Sequence, residues 1–171
     1  MPKRNPWLPY LTIAGVLVLL WGYTQWRDRK YEVQIKPMFS FKPEAVTCIK
    51  IAKENVSVTM IKKDTLWTFA QPDTGMPEKY KIDEFFKDVL KGEREGTITD
   101  DTAHYSKYGI SDGESTQVVL TGDEGFLEKI YIGRSESDYT QEYLRYENDP
   151  NVYPARQRLI NRLGAVASWW R

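Results

Sequence analysis

Cysteine and histidine are nearly missing from this 171-residue chain, which holds one of each, Cys48 and His104. A single cysteine excludes an intramolecular disulfide framework. A single histidine obliges any metal site built on it to recruit carboxylates or Cys48, and any Ser-His-Asp triad to use His104 itself. Asp100 and Asp101 lie near His104 in sequence, but Cys48 is far away. No nucleophile elbow of the Gly-x-Ser-x-Gly type, no Walker glycine loop and no dinucleotide fingerprint occurs. A charge excess of either sign is missing too. Basic and acidic side chains number 24 each, and a balanced chain lacks the basic footprint of nucleic-acid binders. The carboxylate pairs (Asp100-Asp101, Asp112 with Glu114, Asp123-Glu124, Glu136 with Asp138) fall in turns and loops, where solvated acids are common. The chain is therefore read as not an enzyme, with no catalytic residue, no metal ligand, no cofactor and no identified small-molecule substrate.

What the chain has is one apolar stretch without a charged residue, Trp7 to Trp26, WLPYLTIAGVLVLLWGYTQW. As a helix, its roughly 20 residues reach about 30 Å, the thickness of bilayer hydrocarbon. Its ends are aromatic, with Trp7 and Tyr10 at one and Trp21, Tyr23 and Trp26 at the other. Amphipathic rings collect at membrane interfaces. This pattern predicts a transmembrane helix over 7–26 anchored by those five residues, with the lipid bilayer as a partner. No small-x-small site follows it, so it reads as an uncleaved signal anchor. Residues 1–6 form a short N-terminus and 27–45 a juxtamembrane connector. Pro37 and Pro43 oppose a continuous helix there, and Tyr31, Val33 and Ile35 alternate as in a short strand.

From residue 46 to 171 the pattern is that of a small α+β domain. Strands are expected over Val46–Ala52, with Thr47, Ile49 and Ile51 on one face, and over Val56–Lys62 and Thr65–Phe69, joined as an antiparallel meander. A Pro- and Gly-marked loop, 71–79, leads to a helix over Ile82–Lys91. There Ile82, Phe85, Phe86, Val89 and Leu90 form one apolar stripe. Further strands are expected over Glu95–Thr99, Thr116–Thr121, Phe126–Ile132 and Tyr139–Tyr146, and a last helix over Ala155–Leu163. Gly109, within Tyr108-Gly109-Ile110, is expected to supply a backbone angle that other residues resist. Strand, strand, strand, loop, helix describes both Val46–Lys91 and Thr116–Leu163, which suggests two similar β-β-β-α halves. The tyrosines of the second half, among them Tyr105, Tyr108, Tyr131, Tyr139 and Tyr143, read either as core or as a stacking surface. Trp169, Trp170 and Arg171 are the candidate partner contacts, because adjacent indoles on one helix end cannot face the same way.

These features in order resemble a bacterial domain of unknown function, DUF4340. The resemblance rests on the Val46–Lys62 strand pair, Leu66-Trp67-Thr68-Phe69 and its Pro-containing loop, and the Ile82–Leu90 helix with Asp83 at its start. It continues through Tyr108-Gly109-Ile110, Ile130-Tyr131-Ile132-Gly133 and Val152-Tyr153, and spans Val46 to Arg171. It implies a single-pass protein of the bacterial inner membrane, amino end in the cytoplasm and domain in the periplasm. It also implies neighbours among ABC-transporter components of the gliding-motility type. The expected function is a non-enzymatic, membrane-anchored accessory or structural subunit of an inner-membrane complex. The alternative is a periplasmic module binding an envelope glycan or peptide through a tyrosine-lined surface.

Overall fold

The computed structural model describes residues 8–30 and 34–171. It divides into two compact units, Met1–Gln34 and Ile35–Arg171. The first contains helix α1, Leu8–Lys30. Among the described residues, no helix is long and apolar enough to cross a membrane. This overturns the expected transmembrane span over 7–26, the α+β class built around it, and the single-pass inner-membrane placement. The reason lies in the ends of α1. Its aliphatic run, Ile13 to Leu20, is short, and Trp21, Gly22, Tyr23, Thr24 and Gln25 dilute the hydropathy before Arg27, Asp28, Arg29 and Lys30 close the helix. Tyr10, Trp21 and Tyr23 are exposed. Trp7, residues 1–6, Tyr31 and Val33 lie outside the described residues, as does the side chain of Trp26.

The second unit is mostly sheet. Seven strands pair antiparallel: β2 (Val46–Lys53), β3 (Val56–Lys63), β4 (Leu66–Phe69), β6 (Thr116–Gly122), β7 (Gly125–Arg134), β8 (Glu142–Tyr146) and β9 (Tyr153–Pro154). Their spatial order is β4-β3-β2-β6-β7-β8-β9. Two meanders thus meet through their first strands, β2 and β6. A separate two-stranded sheet joins β1 (Lys36–Pro37) to β5 (Glu93–Arg94). One face of the large sheet carries the core, Ile49, Ile51, Val58, Met60, Val118, Leu120, Ile130 and Leu144 among it. The predicted face of β2 is altered by a bulge between Val46 and Cys48. The bulge brings Val46 into the core with Ile49 and Ile51 and leaves Thr47 half-buried.

The predicted helix is present but begins earlier and changes pitch. It is α-helical over α2, Lys79–Glu84, and then π-helical over Phe85–Leu90. Lys91 N–H donates to Phe86 O, five residues back. Ile82, Phe85, Val89 and Leu90 are buried against the sheet, as the stripe requires. Several other expectations fail. The strand over Glu95–Thr99 is replaced by β5 and a single bridge from Thr99 to Val152. The strand begun at Tyr139 starts only at Glu142. No second helix covers Ala155–Leu163, which holds a short 3-10 turn at Ile160–Arg162 instead. The second half therefore does not repeat the first. The chain's last helix, α3, is Ala167–Trp170.

The segment 100–114 folds over the opposite face of β7 and β8. There Ile110, Tyr143 and Val152 form a second small core, with Tyr105 and Tyr108 packed on it. Gly109 has φ +64, as its place in the turn predicts. A Cβ at Gly133 would lie 1.9 Å from Gly109 O. Two glycines are thus what let this turn press directly onto β7.

A candidate docking groove at the β4 edge

Strand β4 forms one outer edge of the sheet, and its geometry follows from its pairing. Ala70 N–H donates to Thr59 O at 2.8 Å, so alternate residues turn their main chain toward β3. Trp67 and Phe69 turn theirs outward. Phe69 N–H is taken by Gly75 O at 3.1 Å. Outside the strand ladder, no main-chain bond to Trp67 occurs among the described residues. Beside this strand runs a groove of about 510 Å³ between β4 and α2. Leu66, Trp67, Met76 and Phe86 form its apolar walls, and Lys62, Lys79 and Asp83 sit on its rim. Trp67 packs edge-on against Phe86, ring centroids 5.9 Å apart. Leu66 is 60% exposed and Met76 59%, so the walls face solvent.

The far wall, loop 71–78, is fixed by two of the three residues expected to contact a partner, Trp170 and Arg171. Trp170 is fully enclosed: its indole packs against Phe85 at 6.1 Å and its Nε1–H donates to Gly164 O at 2.7 Å. Its carbonyl accepts from Glu78 N–H at 2.7 Å. Trp169 is half-buried, with Lys81 Nζ 5.3 Å above its ring and donating to its carbonyl. Arg171 is exposed, donates to Thr74 O at 2.7 Å and lies over the Phe69 ring at 5.4 Å. Adjacent indoles do face different ways, as the sequence required. One fills the core and the other supports the base of the groove wall, and both indoles make contacts within the chain. Arg162, bonded to Glu84 at 2.8 Å and Asp88 at 2.9 Å, steadies the π-helical segment from behind.

The tyrosines divide between roles. Tyr143 is buried and stacks on Tyr108 at 4.7 Å, and burial raises its pKa. Tyr139 is 67% exposed, and Tyr105 donates its hydroxyl to Pro150 O at 3.0 Å. Arg145 lies between Tyr131 at 3.4 Å and Tyr105 at 4.7 Å, donates to Ile110 O and pairs with Asp112. These contacts tie 100–114 to β8 and border an open polar depression of about 720 Å³. Tyr105, Tyr108, Tyr139 and Tyr143 do not share one exposed surface. His104 is exposed and pairs with Asp101 at 3.4 Å. Cys48 is half-buried in β2, and burial pushes its thiol further from ionisation, against a smaller opposing pull from Lys50. No group of three His, Cys, Asp or Glu side chains suited to a metal ion occurs among the described residues.

Sequence reasoning missed both the groove and a buried carboxylate. Glu142 is enclosed and accepts from Leu159 N–H at 2.5 Å, Ile160 N–H at 2.9 Å and Arg134 Nη2 at 2.7 Å. Nothing in the local pattern of Tyr139–Tyr146 marks it. The groove is assembled from β3, β4, loop 71–78 and α2, and only the apolar character of Leu66, Met76 and Phe86 hints at it.

A family model described as "Domain of unknown function (DUF4340)" matches residues 67–171. The match begins at Trp67, the second residue of β4, and runs to the last residue, leaving out Leu66 and the β2–β3 hairpin. No curated protein and no solved structure matches the chain.

Proposed function

Taking as premise that this chain belongs to the DUF4340 family, we propose that it is a non-enzymatic accessory protein that holds an extended segment of a protein partner. One observation carries the reading: the outward N–H and C=O of Trp67 stand beside an apolar groove whose walls face solvent. An open sheet edge recruits an added strand through main-chain hydrogen bonds, and an adjoining pocket selects its side chains. The titratable residues lean the same way. His104 has one exposed carboxylate beside it, and the Cys48 thiol is held away from its reactive form. The resemblance implies ABC-transporter components as neighbours, and those proteins are the first partners to try.

The test is selection of random linear peptides on the full chain, followed by hydrogen exchange of the complex. The expected result is enrichment of extended peptides that slow exchange at the Trp67 amide and are lost in Leu66→Lys. Peptides that bind but protect other strands, or a selection that enriches none, would overturn the proposal.

A further inference from the structure

Resting on that reading, we infer that the segment taken by the β4 edge is acidic at its ends and apolar at its centre. The argument is one of charge. Three charged side chains rim the groove, Lys62 from β3 and Lys79 and Asp83 from α2, so the rim is net positive. The side chains of Lys62 and Lys79 have no ion pair, hydrogen bond or ring partner among the described residues. Nearby cations differ. Lys81 is held by the carbonyls of Trp169 and Arg171, Arg162 by Glu84 and Asp88, and Arg171 by Thr74 O. Two lysines on opposite banks of an apolar slot are thus left with their charge unspent.

Geometry sets the occupant's form. A strand laid along β4 bonds to Trp67 and sends alternate side chains toward the Trp67–Phe86 pair. Those positions require aliphatic residues that fit between Leu66 and Met76. Lys62 stands level with Trp67 on the β3 bank and Lys79 on the α2 bank, so carboxylates flanking the apolar centre gain from both and ammonium groups are repelled. Contacts of this exposed kind are individually modest, so the charge acts as a selector on top of the main-chain and apolar contacts.

The probes are three blocked seven-residue peptides sharing a valine-isoleucine-valine centre, flanked on each side by two glutamates, two glutamines or two lysines. Binding to the full chain is followed by calorimetry and by exchange at the Trp67 amide. The glutamate peptide is expected to bind roughly three- to tenfold more tightly than the glutamine peptide at low salt. That advantage should shrink as salt rises. The double variant Lys62→Glu, Lys79→Glu should reverse the order in favour of the lysine peptide, with its urea midpoint unchanged as a check on folding. If the glutamate and glutamine peptides both protect Trp67 and bind equally, or the double variant leaves their order intact, the acidic assignment is overturned while docking at β4 stands. If none of the three protects Trp67, docking itself fails and this inference with it.

Discussion

The two outer strands of the sheet, β4 and β9, solve the edge problem in opposite ways. β9 is two residues long and contains Pro154, which has no N–H to offer. Its carbonyl accepts from Glu95 N–H at 2.9 Å. Val152, just before β9, exchanges bonds with Thr99 and Ile98, and Ala155 bridges to Arg94. The Arg94 guanidinium lies 3.7 Å over the Tyr153 ring and closes that side. β4 has only Phe69 covered, by Gly75, and leaves Trp67 open beside an apolar slot. An uncovered edge risks uncontrolled pairing. A fold that seals one edge with proline, a crossing segment and a stacked arginine, and leaves the other bare, has placed its vulnerability where an interaction surface would be.

The contrast is open to direct attack. Trp170→Ala should have the largest effect, about 3–5 kcal/mol of lost stability in urea unfolding. Because the indole braces Phe85 and seats the chain end whose main-chain carbonyl holds Glu78, exchange at the Phe69 amide should rise with it. Glu142→Ala tests the sealed side. It strips two amides and Arg134 of their acceptor, at a cost of about 3 kcal/mol, and should free the 159–160 turn while leaving exchange along β4 unchanged. Alkali is a third probe of the sealed side. Burial pushes the Tyr146 hydroxyl up to about 12, against a smaller opposing pull from Arg94, and it donates to Met38 O. The unfolded chain gives up this proton near pH 10. The folded state binds it more tightly. Its stabilisation is therefore intact below pH 10 and drains away as pH climbs to about 12, about 2–3 kcal/mol in all. Urea midpoints on either side of that window should show the loss, and Tyr146→Phe should remove this pH dependence. Smallest is Leu66→Lys, expected to shift the free protein's stability by no more than about 0.5 kcal/mol. An effect as large as that of Glu142→Ala would mean β4 is as integrated as β9.

What the sequence discloses depends on how many faces of a strand are covered. β2, β3 and β6 have one face packed and one wetter, so alternation announces them. In β8, residues 142–145 are all buried, because the core lies on one side and Tyr105, Tyr131 and Ile110 on the other. Alternation is lost there, and with it the signal for where the strand starts. The stripe of Ile82, Phe85, Phe86, Val89 and Leu90 was legible, but not its widened π turns, which answer to packing rather than to spacing. The apolar run in α1 was legible as helix. Its uncharged length and aromatic ends point to a membrane span, but the helix is not long and apolar enough for one. Of the groove, only the apolar character of Leu66, Met76 and Phe86 was legible. Lys62 and Lys79 meet across it only because β4 and α2 lie side by side, a relation no local pattern encodes.

The join between β2 and β6 has a kinetic consequence. Each meander is made of neighbours along the chain, but the seam between them unites positions such as Thr47 and Thr121, 74 residues apart. Closing so long a loop is an entropic toll levied before any reward arrives. Refolding should therefore slow markedly when Ile51 or Val118, partners across that seam, is trimmed to alanine. Shortening a side chain at the tip of the β2–β3 hairpin, such as Asn55→Ala, should leave the rate nearly untouched. Stopped-flow refolding that shows the reverse would place the start of assembly in the hairpins instead.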